Sequence, residues 1–233
     1  MPNSRARRAS NRDMSALAVL LLVLWALPAT AADEAIPAGD CAEVLARRVQ
    51  SHYEGVRDLT ARFVQTQRSV AFTGGEEEAR GEVFFAKPGR MRWSYESPEP
   101  SLVVSDGEKL WIYDPVAREV QVLAVDQGFL SGAAFQFLLG EGRILEAYRA
   151  SARGCGEERT VLELVPRAES TYERLELTVD PSRGTVHATS VVDLFGNRTD
   201  VVFEDVRANQ GLGAELFRFE PPAGVRVLTL PGP

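Results

Sequence analysis

Between Leu59 and Phe219 the chain repeats one pattern: a short segment of alternating apolar and polar residues, then a turn rich in Gly, Pro, Asp or Asn. Alternation with a period of two places the apolar side chains of a segment on one face of a strand. Segments this short, joined by turns this tight, pair with their neighbours as antiparallel hairpins. Leu59, Ala61 and Phe63 alternate with Thr60, Arg62 and Val64, and Val83, Phe84 and Phe85 lie within Gly81–Lys87. Pro88-Gly89 turns the chain, after which Met91, Trp93 and Tyr95 alternate with Arg90, Arg92, Ser94 and Glu96. Asp106-Gly107 is a hairpin turn between Leu102–Val104 and Leu110–Tyr113, and Glu119–Val125 follows. The second half supplies Tyr148–Arg153, Thr160–Val165, Arg174–Val179, Val186–Asp193, Arg198–Val206 and Leu216–Phe219. Thr73–Glu78, with its glutamate run, reads as a solvated connection. The expected fold is mainly β, a meandering antiparallel sheet or barrel in one domain.

A sheet with one apolar face has to bury that face. Two helices are available to cover it. Asp40–Tyr53 carries Ala42, Leu45, Val49 and Tyr53 at helical spacing, with Asp40 placed to cap it and Gly55 to end it. Residues 129–139 show no period of two and are apolar nearly all round, so this segment reads as a short helix that must itself be covered. It is either a core helix or a lid over an apolar cavity. Periodicity does not choose between them, and a solid core is the default.

The first 31 residues have the form of a secretory signal peptide. Arg5, Arg7, Arg8 and Arg12 precede the apolar run Ala16–Leu27, Pro28 breaks it, and Ala29-Thr30-Ala31 is a small-residue cleavage site. The run is shorter than the roughly 20 residues a membrane span needs. Met14 is an alternative start. Cleavage after Ala31 leaves a domain over 32–233 and removes four arginines against one aspartate, so the remainder is more acidic than the −7 of the whole chain. Acidity of that size argues against a nucleic-acid partner and against electrostatic docking on anionic lipid. Cys41 and Cys155 are the only cysteines. In an oxidising compartment they form one disulfide or stand as two thiols.

No segment has the spacing of a nucleophile elbow, a phosphate-binding glycine loop, a paired-cysteine redox site or a zinc-protease helix. His52 and His187 are the only histidines, and neither has an acid, base or metal-ligand partner at defined spacing. The reading is a protein without catalytic residues, metal or cofactor.

Arg62-Phe63-Val64-Gln65-Thr66, Gly81–Trp93, Leu102–Pro115, Leu194–Thr199 and Phe217–Val225 occur in an order that resembles the outer-membrane lipoprotein carrier family, LolA. The resemblance spans essentially the whole of 32–233. It implies an unclosed antiparallel β-barrel whose helices form a lid over a hydrophobic cavity. It also implies a periplasmic chaperone of a Gram-negative bacterium, monomeric and soluble. Such a chaperone takes acylated lipoproteins from an inner-membrane ABC transporter to the outer membrane, through a receptor where one exists. On this matching Phe63, Val83, Phe85, Met91 and Trp93 line the cavity or its rim, and Phe135, Leu138 and Leu139 lie on the lid. The family's lid-latching arginine falls at Lys87, which offers three donors on a point charge instead of a planar fork. Lys87 is then a weaker latch, or a surface lysine at a turn. Two alternatives share the fold. The membrane-anchored receptor would need Cys where Ala32 stands. A lipid-sensing or regulatory half-barrel module of the envelope would ordinarily carry a further domain.

Overall fold

The structure, a computed structural model, describes residues 38–71, 75–124 and 143–230, with side chains from Cys41 onward. All of these fall within the compact unit Ala35–Pro233. Helix α1 (Ala38–Glu54) leads into β1 (Asp58–Arg68), β2 (Glu77–Ala86), β3 (Arg90–Ser97), β4 (Ser101–Asp106), β5 (Lys109–Asp114) and β6 (Glu119–Ala124). A single helical turn, α2 (Ile144–Ala147), opens the second half. It is followed by β7 (Tyr148–Arg153), β8 (Thr160–Pro166), β9 (Tyr172–Val179), β10 (Val186–Asp193) and β11 (Arg198–Ala208). A 3-10 helix (Ala214–Phe217) and β12 (Arg226–Thr229) complete the described chain.

The strands form one 12-stranded sheet in the order β12-β6-β5-β4-β3-β2-β1-β11-β10-β9-β8-β7. Two meanders, β1–β6 and β7–β11, are joined where β1 pairs with β11, and every contact is antiparallel except that of β12 with β6. The sheet does not close on itself: β12 and β7 are its two ends.

Register gives the sheet two distinct faces. Paired residues share a face, so Leu59, Phe85, Met91, Ser105, Leu110 and Leu123 form one row across β1–β6. Ala61, Val83, Trp93, Val103, Ile112 and Gln121 form the next row, and Phe203, Phe63, Gly81, Tyr95 and Ser101 the third. This inner face continues through Val201, Thr189, Leu177 and Leu162 in the second meander. Its apolar members belong to one contiguous core, together with Ala42, Leu45, Val49 and Tyr53 of α1. The helical spacing read from the sequence is therefore the buried stripe of that helix.

Gly81 shows why one position in the third row cannot carry a side chain. A Cβ there would lie 1.9 Å from the Ser94 carbonyl oxygen and 3.0 Å from the Phe63 ring.

Several boundaries differ from those expected. The helix starts at Ala38, so Asp40 lies inside its first turn and does not cap it. Glu77 and Glu78 belong to β2, with Glu78 on Arg80 and Glu76 on Arg68, because the β1–β2 ladder runs further than apolar alternation indicates. Leu216–Phe219 is not a strand. The chain there makes a 3-10 turn that puts Phe217, fully buried, against β3 and β4 on the outer face. Residues 129–139 lie outside the described residues.

Candidate functional site

The inner face of β1–β3 carries an aromatic patch centred on Trp93. Its ring is 4.7 Å from Phe63 and 5.9 Å from Phe85, both edge-on, 6.3 Å from Tyr95, stacked, and 6.5 Å from Phe203. Offset and edge-to-face contacts of this kind add to the free energy of burial. Phe63, Val83, Phe85, Met91 and Trp93, chosen from the sequence as cavity or rim residues, fall in three adjacent rows of one face, and all five are buried. Tyr95, Phe203, Val103 and Ile112 complete the surface and were not singled out. Their signal was strand parity, but only the register shows that their rows align with Trp93. Phe135, Leu138 and Leu139 lie outside the described residues.

Helix α1 runs along the turns at one end of this face and, among the described residues, is tied to those turns at four places. Cys41 is disulfide-bonded to Cys155 in the β7–β8 turn, with Cα atoms 6.4 Å apart. The Arg48 guanidinium donates to the Pro181 carbonyl, and Gly184 in the same β9–β10 turn passes so close that a Cβ would meet the Arg48 carbonyl oxygen at 2.6 Å. The Tyr53 hydroxyl accepts from the Val186 backbone N–H at 3.1 Å, and burial pushes its phenol pKa up to about 12.

The fourth tie is Lys87. It follows β2 and leads through a cis peptide bond into Pro88. Its Nζ donates to the Tyr53 carbonyl at 2.6 Å and the Glu54 carbonyl at 3.4 Å. These are the last two carbonyls of α1, at the negative end of its dipole, and the Tyr53 carbonyl also accepts from the Val56 N–H at 3.1 Å. Partial burial lowers the Lys87 pKa, and the Glu54 carboxylate opposes that shift. The carbonyls that Lys87 holds thus belong to the first helix, not to residues 129–139.

Beside this tie, Asp58 is buried with its carboxylate accepting from the Gln210 and Gly211 backbone N–H groups at 2.6 and 3.0 Å. Asn209 accepts from the Arg57 N–H at 2.8 Å. The end of β11 is thereby fixed to the start of β1.

His52 and His187 are half-buried, with pKa values lowered by burial. Among the described residues no group of His, Cys, Asp and Glu is arranged to hold a metal ion, and no helix is long and apolar enough to cross a membrane.

The family described as "Outer membrane lipoprotein carrier protein LolA" matches residues 54–220. The outer-membrane lipoprotein carrier protein of Dechloromonas aromatica is 32% identical over 177 residues, covering 75% of this chain and 83% of its own length. That of Nitrosospira multiformis is 34% identical over 186 residues, covering 78% and 86%. A crystal structure of a LolA superfamily protein from Nitrosomonas europaea superposes with a TM-score of 0.43 at 13% identity, covering 75% of this chain and 97% of its own.

Proposed function

Because the chain belongs to the outer-membrane lipoprotein carrier family, LolA, we propose that it carries lipoproteins across the periplasm with their acyl chains lodged against the Trp93 face. The observation that carries this reading is the aromatic and aliphatic inner face of an unclosed sheet, bounded at one end by a helix that is tied down. Three acyl chains present on the order of forty methylenes, so leaving a bilayer for water costs roughly 30 kcal/mol at about 0.8 kcal/mol each. A diffusing carrier has to offer an apolar surface in exchange at both ends of its route. The sequence has no nucleotide-binding loop, so the work of extraction comes from a separate inner-membrane ABC transporter, and a receptor, where one exists, accepts the cargo at the outer membrane. Residues 1–31 direct export and are removed after Ala31, leaving a soluble monomer.

In this reading Lys87 latches α1 in the closed state. Its ammonium donates to the last two carbonyls of the helix, and those two bonds break when the helix lifts. Loss of one charge-assisted hydrogen bond shifts a closed–open equilibrium by about tenfold. Lys87→Leu is expected to raise uptake of an apolar fluorescent probe several-fold and to slow lipoprotein release. If both stay at wild-type levels, Lys87 is a turn lysine without a latch role. The carrier reading is tested by mass spectrometry of the protein purified from periplasm in cells that contain the transporter. Acylated lipoprotein should co-purify, and consistent absence of any acylated ligand would count against the carrier role.

A further inference from the structure

The inner face changes character along its strands. The row beside α1 is apolar except for Ser105, which is already engaged: its hydroxyl donates to the Gly89 carbonyl at 3.2 Å and accepts from the Gly107 N–H at 3.1 Å. Moving away from α1, the third row brings in Tyr95 and Ser101, and the fourth places Gln65 between Ala79 and Val201. Gln65, Tyr95 and Ser101 are all half-buried. The Tyr95 ring stays in the aromatic patch, 5.1 Å from Phe63, while its hydroxyl donates to Gln65 Oε1 at 3.1 Å. That bond fixes the amide and leaves the two Nε2 protons of Gln65 without a protein acceptor among the described residues.

We infer that Gln65, oriented by Tyr95, is a headgroup subsite that donates to an ester or amide carbonyl of the glyceryl-cysteine end of an acylated ligand, with the acyl chains pointing toward α1. The inference rests on the carrier reading above. Its physical basis is the different requirement of the two ends of an amphiphile. A hydrocarbon chain needs no donor, so it suits the rows around Phe85, Met91 and Trp93. A carbonyl drawn out of water needs one, and leaving it unpaired is unfavourable. At the α1 end the nearest cation, Lys87, directs two of its three ammonium donors at the helix carbonyls. The donor stands at the opposite end of the face, so the face accepts an amphiphile in one direction.

The test compares two probes on the purified protein. One is a synthetic diacylglyceryl-cysteine peptide, which has ester carbonyls; the other is N-phenyl-1-naphthylamine, which has none. Gln65→Leu should weaken the peptide about fivefold, the factor one hydrogen bond contributes, and leave the dye within about twofold of wild type. Tyr95→Phe, which keeps the ring but releases the amide, should weaken the peptide about twofold to threefold more than it weakens the dye. Equal weakening of both probes, or a peptide affinity unchanged in both variants, overturns the subsite while leaving the carrier reading intact. Wild-type protein that binds neither probe overturns both.

Discussion

Glu176 is a carboxylate at 9% side-chain exposure on the outer face of β9, directly opposite Glu163 of β8. Two like charges in that register repel, and the fold answers with three arginines. Arg198 donates to Glu176 at 3.1 Å and Arg174 at 3.2 Å, and Arg153 lies 3.4 Å away. Arg198 also reaches Ser190 and Asp200, and Asp200 in turn pairs with Arg68 of β1, so the network ties β8–β11 to β1. Burial by itself would raise the Glu176 pKa. Hydrogen bonds from Arg198 and Arg174 outweigh it and hold the carboxyl below its ordinary value. A carboxyl whose folded pKa is depressed stabilises the fold fully above its unfolded pKa, near 4.5, and that stability is lost as pH falls through the folded value. Glu176→Gln should cost about 1–2 kcal/mol at pH 7 and flatten the fall in melting temperature between pH 5 and pH 3. An equally steep fall in the variant would show that other carboxyls carry it. The individual charges are visible in the sequence. Their convergence is not, because it depends on which residues of six separate strands fall beside one another.

At the scale of elements, α1 is the part whose docking matters most. Its stripe of Ala42, Leu45, Val49 and Tyr53 is legible from spacing alone, because helical geometry repeats every 3.6 residues whatever lies opposite. Where it docks is set by contacts with turns far along the chain: Cys155, Pro181, Val186 and Lys87. The Cys41–Cys155 bond spans 114 residues and holds the N-terminal end of the helix, while Lys87 holds the C-terminal end. A cross-link over a loop of that length restricts the unfolded chain strongly, so Cys41→Ser with Cys155→Ser is expected to lower stability by about 2–5 kcal/mol. The shift of the urea midpoint measures it, and wild-type protein under reductant should match the double variant. Two elements escape pattern reading for a common reason. Phe217 belongs to a 3-10 turn, and β12 is only four residues long with one buried neighbour strand, so neither has room to display a period.

At the scale of the molecule, the sheet has cores on both faces. The inner one surrounds Trp93. The outer one lies where the C-terminal segment crosses β3–β6: Phe217 packs under the Arg90 guanidinium, 5.4 Å from its ring centroid, and Phe219 lies 5.5 Å from Tyr113 and 6.4 Å from Trp111. Val104 and Val120 are fully buried on that side, and Arg92 donates to the Leu216 carbonyl at 3.3 Å. Because the sheet separates the two cores, Trp93→Phe and Phe217→Leu should each cost about 1–2 kcal/mol and combine additively to within about 0.5 kcal/mol. A larger coupling in denaturant titrations of the single and double variants would mean that the faces communicate through the strands. By itself the sequence determined the strand-and-turn grammar, the amphipathic first helix, the family and three aromatics of the inner-face patch, Phe63, Phe85 and Trp93, because each is written in local period or in local motif. Only the tertiary structure decided which rows those aromatics share, that Lys87 holds the first helix, and that Gln65 stands at the polar end of the inner face. Those facts depend on register and on contacts between residues distant in the chain, and local alternation carries no information about either.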